Sequence, residues 1–94
     1  VAIKSFCDRH AEAIFNRTPT KRIGADIAKA ARRKLVLLDA AIRLGDLASP
    51  PNNRLEALKK DRSGQHSIRV NDQFRICFRW LEGNAYDVEI TDYH

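Results

Sequence analysis

Ninety-four residues, 44% of them apolar and 31% charged, allow one domain over residues 1–94 with a single modest core, and they exclude a chain too polar to fold. No apolar run approaches a membrane span or a signal-peptide core, so a cytoplasmic protein that does not engage the membrane is expected. Lys and Arg number 17 against 12 Asp and Glu, a formal charge of +5 and a pI near 9.6, which favours a polyanionic partner without identifying one.

In chain order, residues 2–6 predict a short first strand. Asp8 is placed to N-cap a short helix carrying Ala11, Ile14 and Phe15 on one side, which Thr18-Pro19-Thr20 breaks. From Asp26, the apolar positions Ile27, Ala31, Leu35, Leu38 and Ile42 step by four, four, three and four. They form one stripe of a second helix, with Gly45 as its left-handed C-cap. Lys29, Arg32, Arg33 and Arg43 fall off that stripe, as a solvated face or as a surface for RNA or a partner.

Residues 48–53 (Ala-Ser-Pro-Pro-Asn-Asn) can continue neither helix nor central strand and predict a surface loop. Residues 55–64 read as a short strand or extended piece ending in a basic turn, and residues 66–70 as a strand in which Ile68 and Val70 alternate with Arg69. A hairpin turn follows at Asn71 and Asp72. Phe74, Ile76, Phe78 and Trp80 recur with period two, as do Tyr86, Val88 and Ile90, with turn residues between them at 81–84. The outward set is then Arg75, Cys77 and Arg79 beside Asp87, Glu89 and Thr91. The order strand, two helices, then antiparallel strands predicts an α+β fold with both helices on one sheet face and the arginine-bearing face open.

Arg69, Arg75 and Arg79 on such a face, flanked by Lys59 and Lys60, suit a phosphate backbone. The competing reading is cross-strand pairing of Arg75 or Arg79 with Glu89 or Asp87. The sequence closes on Asp92, Tyr93 and His94, an acid, a phenol and an imidazole. Cleavage of RNA by its own 2′-hydroxyl needs a base, a cation to steady the phosphorane and an acid for the 5′-oxygen. His94 suits base or acid, Asp92 base or orienting group, Tyr93 a hydrogen bond to phosphate or base, and Arg75 the non-bridging oxygens. Cys7 and Cys77 lack ligand spacing and predict free thiols, and His10, His66 and His94 are scattered, so neither a metal nor another cofactor is expected.

Three segments, residues 58–70, 71–80 and 86–94, together resemble the HigB-type toxins of the RelE superfamily, strongly from about Leu55 onward and more weakly before it. The resemblance implies a compact RelE-like microbial RNase fold and cleavage of messenger RNA in the ribosomal A site. It also implies neutralisation by a cognate HigA-type antitoxin with a helix-turn-helix domain, through which operator DNA is bound. The family's arginine falls on Arg75, its basic loop on Lys59, and its acid, tyrosine and histidine on Asp92, Tyr93 and His94. Where many relatives carry His-Pro before Leu-Lys, this chain has Glu56-Ala57, which makes Glu56 a candidate in place of an imidazole and slow turnover an expectation. His66, where an aromatic pair is frequent, is either a partial substitute or a packed, hydrogen-bonded side chain. The alternative is a basic module of the same fold that acts as an antitoxin-bound corepressor or RNA binder.

Overall fold

The computed structural model describes residues 1–18 and 23–92. Two helices, α1 (Arg9–Phe15) and α2 (Ala25–Ala40), precede four strands, β1 (Glu56–Ala57), β2 (Gln65–Arg69), β3 (Phe74–Leu81) and β4 (Asn84–Asp92), which form one antiparallel sheet in the order β1-β2-β3-β4. Both helices pack on the same face, α1 against β4 and α2 against β3 and β4. Ile14, Leu35, Leu38, Ile76, Phe78 and Val88 are central to the core between the layers.

Asp8 caps α1 as its sequence position predicts, accepting the His10 N–H at 3.0 Å through Oδ1. Its other oxygen accepts the Ile90 N–H at 3.1 Å, so one carboxylate also pins the helix start to β4. The expected first strand is instead a segment with two isolated parallel bridges to β4, Ile3 with Ala85 and Phe6 with Val88. A β-bulge separates them. Cys77 pairs with Glu89 but Arg79 pairs with Tyr86, so Asp87 and Val88 together oppose Phe78, and Asp87 takes a left-handed φ of 54°. Downstream of the bulge period two holds. Upstream it reverses: Ala85 turns into the core and Tyr86 joins the face of Arg79, contrary to the simple alternation.

Helix α2 buries Ala31, Leu35 and Leu38 as predicted, but it ends at Ala40, and Ile42 is 79% exposed. The cause is Asp46, whose carboxylate accepts the N–H groups of Ile42 and Arg43, both at 3.0 Å, and draws the chain into a 3₁₀ turn, Leu44–Ala48. Gly45 lies inside that turn and is not a helix cap. The hydrogen bonds from Arg43 and Ile42 hold the Asp46 carboxyl below the usual carboxylate range.

Residues 48–53 are also more than a surface loop, because Asn53 is fully buried. Its amide donates to the carbonyls of Leu47 at 3.2 Å and Ser49 at 3.1 Å, and its Oδ1 accepts from Lys34 of α2. Asn53→Ala should therefore cost about 2–4 kcal/mol, since buried carbonyls and an ammonium lose their partner together. A urea midpoint indistinguishable from the parent's would contradict that role.

The hairpins follow their turn residues. Asn71 Oδ1 accepts the N–H groups of Gln73 at 2.9 Å and Phe74 at 2.7 Å. Glu82 and Gly83 form a two-residue loop between paired Leu81 and Asn84, with φ of 50° and 79°, the type I′ geometry that glycine favours.

Candidate active site

Cross-strand partners share a face, so register alone assembles the surface opposite the helices. Arg69 faces Arg75, which faces Thr91; Ser67 faces Cys77, which faces Glu89; Gln65 faces Arg79, which faces Tyr86; and Glu56 faces Ser67. This is the predicted arginine face, but it is not open. The basic turn Lys60–Arg62 folds across it, and Arg62 reaches Glu89 on the far strand at 2.7 Å and Gln65 at 3.0 Å. Ser67, Arg75 and Cys77 on this face are buried.

Arg75 is 8% exposed and held at several points. Its Nε donates to Ser67 Oγ at 2.9 Å, its Nη2 donates to the Arg54 carbonyl at 2.7 Å, and the same nitrogen lies 3.4 Å from Glu56 Oε1. The Arg54 carbonyl is presented by a left-handed residue (φ 47°, ψ 57°) that ends the 3₁₀ turn Pro51–Asn53. Glu56 lies on the short edge strand β1, within the stretch read as strand or extended, with its side chain 53% exposed.

The other basic candidates divide into two groups. Arg79 pairs with Asp87 at 3.5 Å, as the cross-strand reading anticipated, and Arg69 pairs with Asp72, a local ion pair that reading did not include. Arg75 takes Glu56 rather than the Glu89 or Asp87 expected on that reading. Lys59 and Lys60 are exposed on the rim.

At the other side of the face, Glu89 collects Arg62, Thr91 at 3.1 Å and the Cys7 thiol at 3.0 Å. Burial raises the Glu89 carboxyl, but the donors Cys7, Arg62 and Thr91 together with the Arg62 charge outweigh it and leave the group below its ordinary range. Burial, the hydrogen bond to Glu89 and the charges of Glu89, Asp87 and Asp8 push Cys7 up to about 12. Although exposed, Cys7 should therefore react with iodoacetamide at pH 8 roughly a hundredfold or more slowly than an unperturbed cysteine. Site-resolved mass spectrometry of the labelled protein checks this, and labelling at the ordinary rate would contradict the hydrogen-bonded arrangement. Cys7 and Cys77 are both free thiols.

Asp92 pairs with Phe74, which puts it one residue past Thr91 and on the helix side of the strand, where its Oδ2 accepts from Gln73 Nε2 at 3.1 Å. A cavity of about 470 Å³ opens beside it, with Asp8, His10 and Phe74 in its wall. Tyr93 and His94 lie outside the described residues. His66 stacks on Phe78 on the helix side of the sheet, away from Arg75, packed as expected, but its Nδ1 has no hydrogen-bond partner among the described residues. Among the described residues no group of three or more His, Cys, Asp or Glu side chains is arranged to hold a metal ion.

Residues 4–94 match the family described as HigB-like toxin, a RelE-like toxin of the type II toxin-antitoxin system HigB. The chain belongs to this family. It is 42% identical over 81 residues to Toxin HigB-1 of Vibrio cholerae, covering 85% of each sequence, and 33% identical over 92 residues to Endoribonuclease HigB of Proteus vulgaris, covering 98% of this chain and 99% of that one. In fold it is similar to the YoeB dimer structure from Staphylococcus aureus, with a TM-score of 0.59 at 17% identity over 100% of this chain and 97% of that one. The HigB-like match includes both helices, where the sequence resemblance was weaker. Among the described residues of this HigB-like toxin, no helix is long and apolar enough to cross a membrane.

Sequence reasoning missed two groups that hold Arg75, Ser67 and the Arg54 carbonyl. Ser67 was within reach, since the inward parity of Ile68 and Val70 places it with Arg69 on the arginine face. Nothing in the sequence marks a backbone carbonyl.

Proposed function

We propose that this HigB-like toxin is a ribosome-dependent endoribonuclease that cuts messenger RNA without a metal ion. The observation that carries the reading is the buried guanidinium of Arg75, fixed by Ser67 and the Arg54 carbonyl beneath a rim bearing Lys59 and Lys60. A cation whose orientation is set before substrate arrives stabilises developing phosphorane charge without reorganising. In this scheme Arg75 holds the non-bridging oxygens. His94, with Asp92 orienting it and Tyr93 binding phosphate or base, moves the protons. Glu56 stands where relatives place an imidazole, and Lys59, Lys60, Arg69 and Arg79 steer the phosphate backbone. Arg69 and Arg79 must exchange their carboxylate partners to contribute. The name of the Proteus vulgaris relative is in keeping with this chemistry.

The protein acts in the cytoplasm as one domain and is silenced by a cognate HigA-type antitoxin, through which it reaches operator DNA. So few protein groups suffice because the ribosome supplies much of the positioning. Labelled message incubated with the toxin should be cut when programmed ribosomes are present and hardly at all as free RNA. Efficient cutting of free RNA would replace this reading with that of a plain ribonuclease. The Glu56 contact with Arg75 favours one second reading, a weakly catalytic corepressor or RNA-binding module, because a carboxylate there offsets the charge meant for phosphate. That reading predicts ribosome binding without cuts.

A further inference from the structure

We infer that Ser67 is a positioning residue for Arg75, acting with the Arg54 carbonyl to set the direction of the guanidinium. The inference rests on the reading of Arg75 as the phosphate-holding group. Ser67 is fully buried on β2 between Glu56 and Cys77, where alanine would satisfy packing as well. A hydroxyl at such a place needs a partner, and among the described residues the Arg75 Nε–H provides it at 2.9 Å.

One hydrogen bond leaves a guanidinium free to swing about it. A second, to a point off that axis, fixes its plane. The Arg54 carbonyl is that point, 2.7 Å from Nη2, and its own place is determined by the neighbouring residue: Asn53 is fastened to Leu47, Ser49 and Lys34 of α2. Arg75 is thus oriented by a sheet residue on one side and by a turn anchored to the helix layer on the other. Neither group needs to touch RNA. Their effect appears in the rate of the chemical step, because a misdirected donor still attracts phosphate but no longer meets the transition state.

The test is single-turnover cleavage of ribosome-bound message by Ser67→Ala, Arg75→Lys and the double variant, with ribosome affinity and thermal melting measured alongside. Ser67→Ala should lower the maximal rate roughly tenfold while changing affinity less than about twofold. In the Arg75→Lys background, which has no Nε–H for the serine to accept, Ser67→Ala should change the rate less than about twofold further. Equal losses in both backgrounds would show that the serine serves the fold and not the arginine, which overturns the inference. A full rate in Ser67→Ala overturns it too, while leaving Arg75 as the phosphate-holding group. If Arg75→Lys and Arg75→Ala both cut at the parent rate, the inference falls together with the assignment of Arg75 on which it depends.

Discussion

Replacing Arg75 by alanine should lower the rate of message cleavage on programmed ribosomes by about two to three orders of magnitude, the scale of losing one preorganised electrostatic donor. The side chain is buried and bonded to Ser67 and the Arg54 carbonyl, so the substitution also leaves two acceptors unpaired and should cost about 1–3 kcal/mol of stability. The rate must accordingly be compared at a temperature where circular dichroism finds both proteins folded. Arg75→Lys keeps a charge but loses the planar fork, and it should fall between the two. Undiminished toxicity of Arg75→Ala in cells at equal expression would reduce the arginine to a structural ion pair with Glu56.

The second large effect concerns Glu56. An imidazole side chain is suited both to accept and to give a proton in the neutral range. In the proposed scheme proton donation to the leaving 5′-oxygen is left to His94 or to the ribosome, and the 3.4 Å contact of Glu56 with Arg75 would offset charge that phosphate needs. Glu56→His should correct both deficits and raise the cleavage rate by roughly one to two orders of magnitude, near the low end of what a positioned acid or base contributes. Folding should be unaffected, because β1 has only two residues and both are exposed. A Glu56→His protein no faster than the parent, with Glu56→Ala also unchanged, would take position 56 out of the proton transfers.

Local signals were readable and long-range ones were not. Asp8 as cap, Asn71 and Glu82-Gly83 as turns, and the alternation of β3 are properties of neighbouring residues, and they predicted the helix start, both hairpins and the face that carries Arg75. The early end of α2 depends on Asp46 capturing two N–H groups, a competition that an apolar stripe does not reveal. The bulge depends on Asp87 adopting a left-handed φ, which an aspartate tolerates but does not announce. The cover over the arginine face depends on Arg62 meeting Glu89, twenty-seven positions along the chain. The last of these contacts places a basic turn across the face that was expected to be open. The candidate residues were legible by type, then, and their environment was not. Arg69 and Arg79 looked equivalent to Arg75 in the alternation, and only the structure separates two paired surface arginines from one held in place.

In the proposed reading, ribosome-bound message is cut at the arginine face. Primer extension on messages translated in the presence of the parent, Arg75→Ala and His94→Gln proteins, with ribosome footprints taken from the same reactions, tests it most directly. The parent should give a cut at a defined position in the A-site codon, and both variants should give matching footprints without that cut. Cuts of equal strength in all three, or footprints without cuts in the parent itself, would contradict it.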